Sequence, residues 1–316
     1  MYFMKPPIEI SIIIPFLNEK EGINELLKKI EEYYHNRKFE FEIIFVDDGS
    51  TDGTREIINS VLSFPYACKL VCLSKNFGSH AAVRAGLLHS GGKYVTCLPA
   101  DLQISFDTVE ILYNSITGVN DIVFAVRETN DVGLFEKMFS RFYAIMMRKF
   151  VTGNFPFNGL ETFMISDKVR RILNENVESN SSVFLQILIM GFKNKFVNIE
   201  KSSRSFGKSK WTLSKKIKLL IDSFAAFSFA PIRLVSIIGI CLFVIGLGWS
   251  LYIVSIKIIY DDLVNGWAAT SSILLLGFGI TNISLGIIAE YLWRTLDASR
   301  KRPVFIVDEI IELNKD

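Results

Sequence analysis

Two apolar runs, Leu234–Ile256 and Ala268–Ala289, carry no charged residue along their whole length. Each matches the roughly 20 residues that a helix needs to cross the hydrocarbon core of a bilayer. Burying two such runs as ordinary core helices is the alternative, and it requires a large soluble body around them. This chain has 316 residues, half of them hydrophobic, with a mean hydropathy of +0.32. That leaves room for one soluble domain of ordinary size ahead of a membrane part. The flanks set an orientation. Lys215, Lys216, Lys218 and Arg233 precede the first run, and Arg294, Arg300, Lys301 and Arg302 follow the second, whereas the connection offers Lys257 against Asp261 and Asp262. Positive flanks stay cytoplasmic, so a multi-pass protein of the cell inner (plasma) membrane is expected, with the preceding domain and both termini in the cytoplasm. Met1 to Pro7 shows no signal-peptide pattern.

The net charge of +2 gives no reason to expect nucleic-acid binding. Cys68, Cys72, Cys97 and Cys241 form no C-x-x-C pair and read as small buried hydrophobes.

Ahead of the apolar runs, strand and helix patterns alternate. Ile8 to Pro15 is a β-branched run suited to a buried parallel strand. Gly22 to Tyr34 places Ile23, Leu26, Leu27, Ile30 and Tyr33 on one helical face. Strands follow at Glu42–Val46, Lys69–Leu73 and Tyr94–Leu98, and helices at Thr54–Leu62 and Ser79–Leu88. The order implies right-handed crossovers in a doubly wound sheet, with ligands at the carboxyl ends of the strands. Further on, a helix is expected from about Phe135 to Phe150, a strand over Thr162–Ile165 and a helix ending near Gly191. The basic stretch Glu200–Lys218 reads as a loop leading to an interfacial helix over Leu213–Phe229.

The ends of three strands hold Pro15-Phe16-Leu17-Asn18-Glu19, Asp47-Asp48-Gly49-Ser50 and Asp101-Leu102-Gln103. Carboxylates distant in sequence thus converge on one rim. Like charges brought together raise one another's pKa, and a divalent cation with bridging phosphates is the usual compensation. Asp47 and Asp48 alone are equally compatible with an Asx turn and helix capping.

These segments resemble the family 2 inverting glycosyltransferases with the GT-A fold, of the polyprenyl-phosphate sugar transferase type that includes dolichol-phosphate mannose synthases and bactoprenol glucosyltransferases. The resemblance runs nearly end to end. It rests on PFLNE (15–19), VDDGSTDGT (46–54), NFGSHAAVRAGL (76–87), ADLQ (100–103), RSFGKSKW (204–211), FSFAP (227–231), EYLWR (290–294) and KRP (301–303). It implies a Rossmann-like α/β domain with a mostly parallel sheet over residues 1–203. A basic acceptor loop and interfacial helix would follow over 204–233, two transmembrane helices within 234–293, and a cytoplasmic tail over 294–316.

It further implies that Pro15, Asn18, Glu19, Asp47, Asp48 and Asp101 hold the nucleotide sugar, and that Asp101 and Gln103 ligate Mg2+ or Mn2+ on its diphosphate. Pro99 stands where the family usually has the first acid of Asp-Ala-Asp-Leu-Gln, so one potential metal contact is absent. Arg127, Arg141, Arg204, Lys208 and Lys210 are the candidates for the acceptor phosphate, since guanidinium suits phosphate through paired donors; simple solvation is the alternative for any lone surface arginine. Glu161, within Asn158-Gly159-Leu160-Glu161, is the second catalytic candidate beside Asp101, the alternative being a capped surface acid. His80 follows Gly78-Ser79 at a helix start, placed either to touch the donor or to pack. Gly207-Lys208-Ser209 mimics the end of a P-loop, but Ser202 stands where that motif needs Gly.

The expected reaction is transfer of a hexose from a UDP-sugar such as UDP-glucose to undecaprenyl phosphate or a similar lipid. A GDP-mannose-dependent enzyme, a processive polysaccharide synthase and a non-catalytic membrane scaffold are the alternatives. A homo-oligomer is expected, with Gly239, Gly246, Gly248, Gly277, Gly279 and Gly286 available for close helix packing.

Overall fold

The computed structural model describes residues 8–61, 64–116, 119–128, 134–176, 182–200, 230–260, 266–300 and 303–313. The chain divides into two compact units, one formed by Met1–Leu219 with Pro303–Asp316 and the other by Leu220–Arg302.

The first unit is built on strands β1 (Ile10–Phe16), β2 (Phe41–Asp47), β3 (Ala67–Leu73), β4 (Tyr94–Cys97), β5 (Ile122–Arg127), β6 (Thr162–Ser166), β7 (Asn194–Ile199) and β8 (Val307–Glu312). Its helices are α1 (Ile23–Asn36), α2 (Thr54–Ser60), α3 (Ser79–His89), α4 (Asp107–Ile116), α5 (Leu134–Phe150), α6 (Asp167–Glu175) and α7 (Val183–Ile189). The strands form one sheet in the order β7-β5-β6-β4-β1-β2-β3-β8. Pairing is parallel for β4-β1, β1-β2, β2-β3 and β5-β7, and antiparallel for β4-β6, β6-β5 and β3-β8. The sheet is therefore mixed. The strict alternation expected from the sequence holds through β4; beyond it β6 inserts antiparallel between β4 and β5.

The central strands have apolar residues on both faces because helices cover both. On one face Ile12, Ile14, Ile43 and Phe45 pack with Leu26 and Ile30 of α1 and Val109 and Leu112 of α4. On the other, Ile13 meets α3 so closely that a Cβ built on Gly86 would stand 2.3 Å from its Cγ2. Only glycine lets that helix come so near the strand. Leu27, expected on the buried face of α1, is only partly buried.

Four elements lie outside the sequence-based expectations: α4, β7, the break that makes α6 and α7 two helices, and β8. The last changes the domain plan, because residues 307–312 of the supposed tail pair with β3 as an edge strand. Leu313 beyond it is buried in the core, and Arg55 of α2 forms an ion pair with Glu309. Cys68, Cys72 and Cys97 are buried as expected, whereas Cys241 is exposed.

The second unit contains helices α8 (Ala230–Tyr260) and α9 (Trp267–Ser299), which pack on each other. Counting described residues alone, no helix is long and apolar enough to cross a membrane; the two spans rest on the sequence. A Cβ added at any of Gly239, Gly246, Gly248, Gly277, Gly279 or Gly286 would meet nothing within 4 Å. Among the described residues, then, none of these glycines meets a close neighbour.

Candidate active site

Because β4, β1 and β2 are adjacent and parallel, their carboxyl ends open on the same edge of the sheet. The three carboxylate-bearing segments are thereby neighbours. Asn18 sits just past β1 with φ of +51°, a conformation that asparagine tolerates better than most residues. Its backbone N–H donates to Ser50 Oγ at 3.0 Å, and its side-chain oxygen accepts the Thr51 N–H at 2.8 Å. The Glu19 N–H donates to Thr54 Oγ1 and the Lys20 N–H to Asp52 Oδ2, both at 3.0 Å. Residues 18–20 and 50–54 thus form one hydrogen-bonded rim.

Asp47 and Asp48 are 2% and 4% exposed. One oxygen of Asp47 accepts the Ser50 N–H at 2.8 Å, so the Asx-turn reading holds for that oxygen. Asp48 is turned inward: it accepts N–H donors from Phe77 at 2.8 Å and Gly78 at 3.0 Å, which ties the β3–α3 loop to the end of β2. Burial holds its carboxyl above the ordinary range, the two amides oppose that rise, and the neighbouring Asp47 adds to it. Gly49, with φ of +78°, lies where a Cβ would stand 2.6 Å from the backbone of Lys75, so this turn admits no side chain.

Asp101 and Gln103 lie on the loop after β4. Asp101 Oδ1 accepts the Gln103 N–H at 3.3 Å, across Leu102 at φ of +57°. Among the described residues no group of three His, Cys, Asp or Glu could hold a metal ion. One carboxylate and one amide oxygen are nonetheless hard donors, and they fit a cation that completes its shell with phosphate oxygens and water, as Mg2+ habitually does.

Beside this rim lies a cavity of about 430 Å³, bordered by Pro15, Pro99, His80 and Glu161. Its walls are largely apolar, with Tyr143, Phe155 and Phe157 among them, and Phe184 as well. Glu161 and Arg127, singled out separately in the sequence, meet here: Nε and Nη2 of Arg127 donate to Glu161 Oε1 at 3.1 and 2.8 Å. Pairing across β5 and β6, which brings Ala125 opposite Thr162, makes them neighbours. Asn158 donates to the Arg127 carbonyl at 2.8 Å and fixes the same corner. Arg141 is exposed on α5. Arg204, Lys208 and Lys210, with the interfacial helix, lie outside the described residues.

The aromatic wall had no sequence signal, since Phe155 and Phe157 sit in an irregular loop and Phe184 on a short helix. Arg148, whose guanidinium lies 3.6 Å over the Phe157 ring and whose Nε donates to the Phe155 carbonyl at 2.6 Å, holds that loop.

The mixed α/β sheet with its strand-end rim and adjacent cavity is a GT-A-like fold. The chain belongs to glycosyl transferase family 2, which matches residues 11–173, and it is a transferase. It is 30% identical over 97% of its length to an uncharacterized glycosyltransferase, YkcC, of Bacillus subtilis (strain 168), covering 95% of that protein. It is 29% identical, over 97% of its length and 95% of the relative, to an undecaprenyl-phosphate 4-deoxy-4-formamido-L-arabinose transferase of Sodalis glossinidius. Among solved structures it is similar to glucosyl-3-phosphoglycerate synthase from Mycobacterium tuberculosis in complex with Mn2+, uridine diphosphate and phosphoglyceric acid. The TM-score is 0.52 at 18% identity, with 69% of this chain and 76% of that one covered.

Proposed function

We propose that this glycosyltransferase moves a hexose from a nucleotide sugar, UDP-glucose or a similar UDP-sugar, to a polyprenyl phosphate such as undecaprenyl phosphate. The product is a lipid-linked sugar donor for cell-surface glycan or lipid modification. The observation that carries this reading is that one cavity is bordered by Pro15 and Pro99, beside the strand ends that bear the carboxylate rim, and by Glu161, whose carboxylate pairs with Arg127. Donor and acceptor groups are brought to a single space.

On this reading the rim of residues 15–19, 47–48 and 101 receives the nucleoside diphosphate. Asp101 and Gln103 would hold a divalent cation, which would supply positive charge against the leaving diphosphate. Arg127, paired with the cavity-lining Glu161 in the protein alone, takes the acceptor phosphate through its paired donors. Glu161, released from it, orients the acceptor or sugar. A phosphate monoester has a second pKa of about 6, so the acceptor is already a dianion at cytoplasmic pH and needs no strong base. Positioning then dominates the rate. The acceptor named for the Sodalis relative supports the lipid assignment.

The membrane placement belongs to the same reading. The sequence supplies two uncharged runs, and Ile240, Val244, Ile258 and Phe278 are 64%, 59%, 78% and 66% exposed on α8 and α9. Apolar side chains so poorly covered by their own chain are at home in lipid. A lipid too apolar to leave the bilayer could then present its phosphate at the interface, to a cytoplasmic domain of the plasma membrane. Self-association is also part of this proposal.

Incubating membranes containing the full chain with undecaprenyl phosphate and a panel of labelled nucleotide sugars tests it. The panel includes UDP-glucose, GDP-mannose and nucleotide-activated 4-deoxy-4-formamido-L-arabinose. Label passing into the organic phase with a UDP-hexose is the expected result. Absence of lipid-linked product with every donor would overturn the acceptor assignment.

A further inference from the structure

His80 is not used by the rim, by the cation site or by the Arg127–Glu161 pair, yet it borders the same cavity. It is the second residue of α3, delivered there by the loop that Asp48 clamps through Phe77 and Gly78. The ring is held edge-on against Phe184, centroids 6.1 Å apart, and Phe184 stands edge-on against Phe163 of β6 at 5.3 Å. Phe163 is fully buried, so the imidazole is anchored through a stack of rings to the sheet itself. Arg84, one turn further along α3, is buried and hydrogen-bonded to Gln186 of α7 and to the Leu173 carbonyl. This cation and the surrounding apolar groups keep the imidazole neutral, desolvation being the larger cause. A neutral imidazole has one N–H donor and one lone-pair acceptor. It stands in a space where polar groups are few, the setting in which a small number of placed polar groups fixes ligand orientation.

We propose that His80 is a specificity-determining residue that hydrogen-bonds the transferred sugar of the nucleotide-sugar donor. This rests on the cavity being the sugar's space, as in the reading above. Pro99, just ahead of Asp101 on the β4 loop, borders that cavity, which is therefore the space adjoining a diphosphate held on that loop. The sugar's hydroxyl or amide substituents there meet His80 against a background of Phe and Tyr faces that accept the ring's C–H surface. A site built to hydrogen-bond a hydroxyl discriminates strongly against analogues lacking it, because its own polar group is left unpaired.

The test is calorimetric and needs no lipid. The affinities of the full chain for a nucleotide sugar and for the matching nucleoside diphosphate alone are measured in wild type, His80→Phe and His80→Gln. Phe keeps the ring packing against Phe184 and removes both hydrogen-bonding capacities, whereas Gln keeps a donor and an acceptor. In His80→Phe, affinity for the nucleotide sugar is expected to fall about ten- to a hundredfold, the effect of one hydrogen bond to a buried polar partner, with affinity for the nucleoside diphosphate unchanged. His80→Gln recovers part of the loss. An equal fall for both ligands would make His80 a packing residue and overturn the proposal, as would an unchanged preference for the sugar-bearing ligand. Both results are independent of whether polyprenyl phosphate is the acceptor, so the two readings fail separately.

Discussion

Replacing Gly86 by alanine tests the close seating of α3 on β1. A Cβ at this position stands 2.3 Å from Ile13 Cγ2, 3.0 Å from Cγ1 and 3.1 Å from Cδ1. Ile13 is fully buried in the centre of the sheet, and its β-branched side chain has few χ1 rotamers open to it, so relief by rotation is costly. Two opposing terms decide the sign. Alanine is better than glycine in a helix interior by roughly 0.8–1 kcal/mol. Overpacking a filled core costs about 1–3 kcal/mol, and a contact this far inside van der Waals distance belongs near the top of that range. The net expectation is a destabilisation of about 1–2 kcal/mol, or a fall in melting temperature of roughly 2–8 °C for a domain of this size. Thermal unfolding of the detergent-solubilised chain reads it directly. Ile13→Ala removes all three contacting atoms, so in that background the same Gly86→Ala change should be neutral or stabilising by up to about 1 kcal/mol. If Gly86→Ala raised the melting temperature of the otherwise wild-type chain, the steric argument would be wrong.

Three further expectations follow from the same geometry. Asp101→Ala, like chelation with EDTA, should remove nearly all transfer activity while leaving the melting temperature within about 2 °C; undiminished turnover in EDTA would refute the cation assignment. Deleting residues 303–316 strips β8 from β3 and exposes a mostly buried strand as an edge, so size-exclusion chromatography should show aggregation, and an unchanged monodisperse peak with unchanged melting would count against the strand's role. His80, whose folded pKa is lowered from 6.5 to about 4 by burial and by Arg84, should make the protein lose stability as pH falls from 6.5 to 4: the unfolded chain takes up a proton there that the folded one refuses. Full burial would make the loss about 3 kcal/mol and partial exposure reduces it; His80→Phe should flatten that part of the stability profile relative to wild type, and identical profiles would remove the assigned cause.

The rim was legible because strand ends in a parallel array share an edge, so Asn18, Asp47 and Asp101 could be grouped from the alternation of patterns alone. Their individual duties were not. Asp47 and Asp48 are adjacent and chemically identical, yet Asp48 faces backbone amides of a loop 29 residues away, a partnership with no local signature. The Arg127–Glu161 pair depends on β6 running antiparallel beside β5, and a five-residue strand gives no sign of its direction. The tail carried a readable apolar pattern at Val304–Val307 and Ile310–Ile311, but its position after two apolar runs concealed that it returns to the sheet.

The sequence by itself determined the local matters: the β-branched strands, the amphipathic face of α1, the two uncharged runs and the carboxylate-bearing strand ends. These follow from short-range periodicity and side-chain chemistry, which act over one element at a time. Tertiary structure decided which strand lies beside which, that β8 closes the edge of β3, that Arg127 faces Glu161, and that His80 is anchored by Phe184 at the cavity. Those outcomes depend on contacts between residues far apart in the chain, whose energies exist only once helices and strands have packed, so no single segment encodes them.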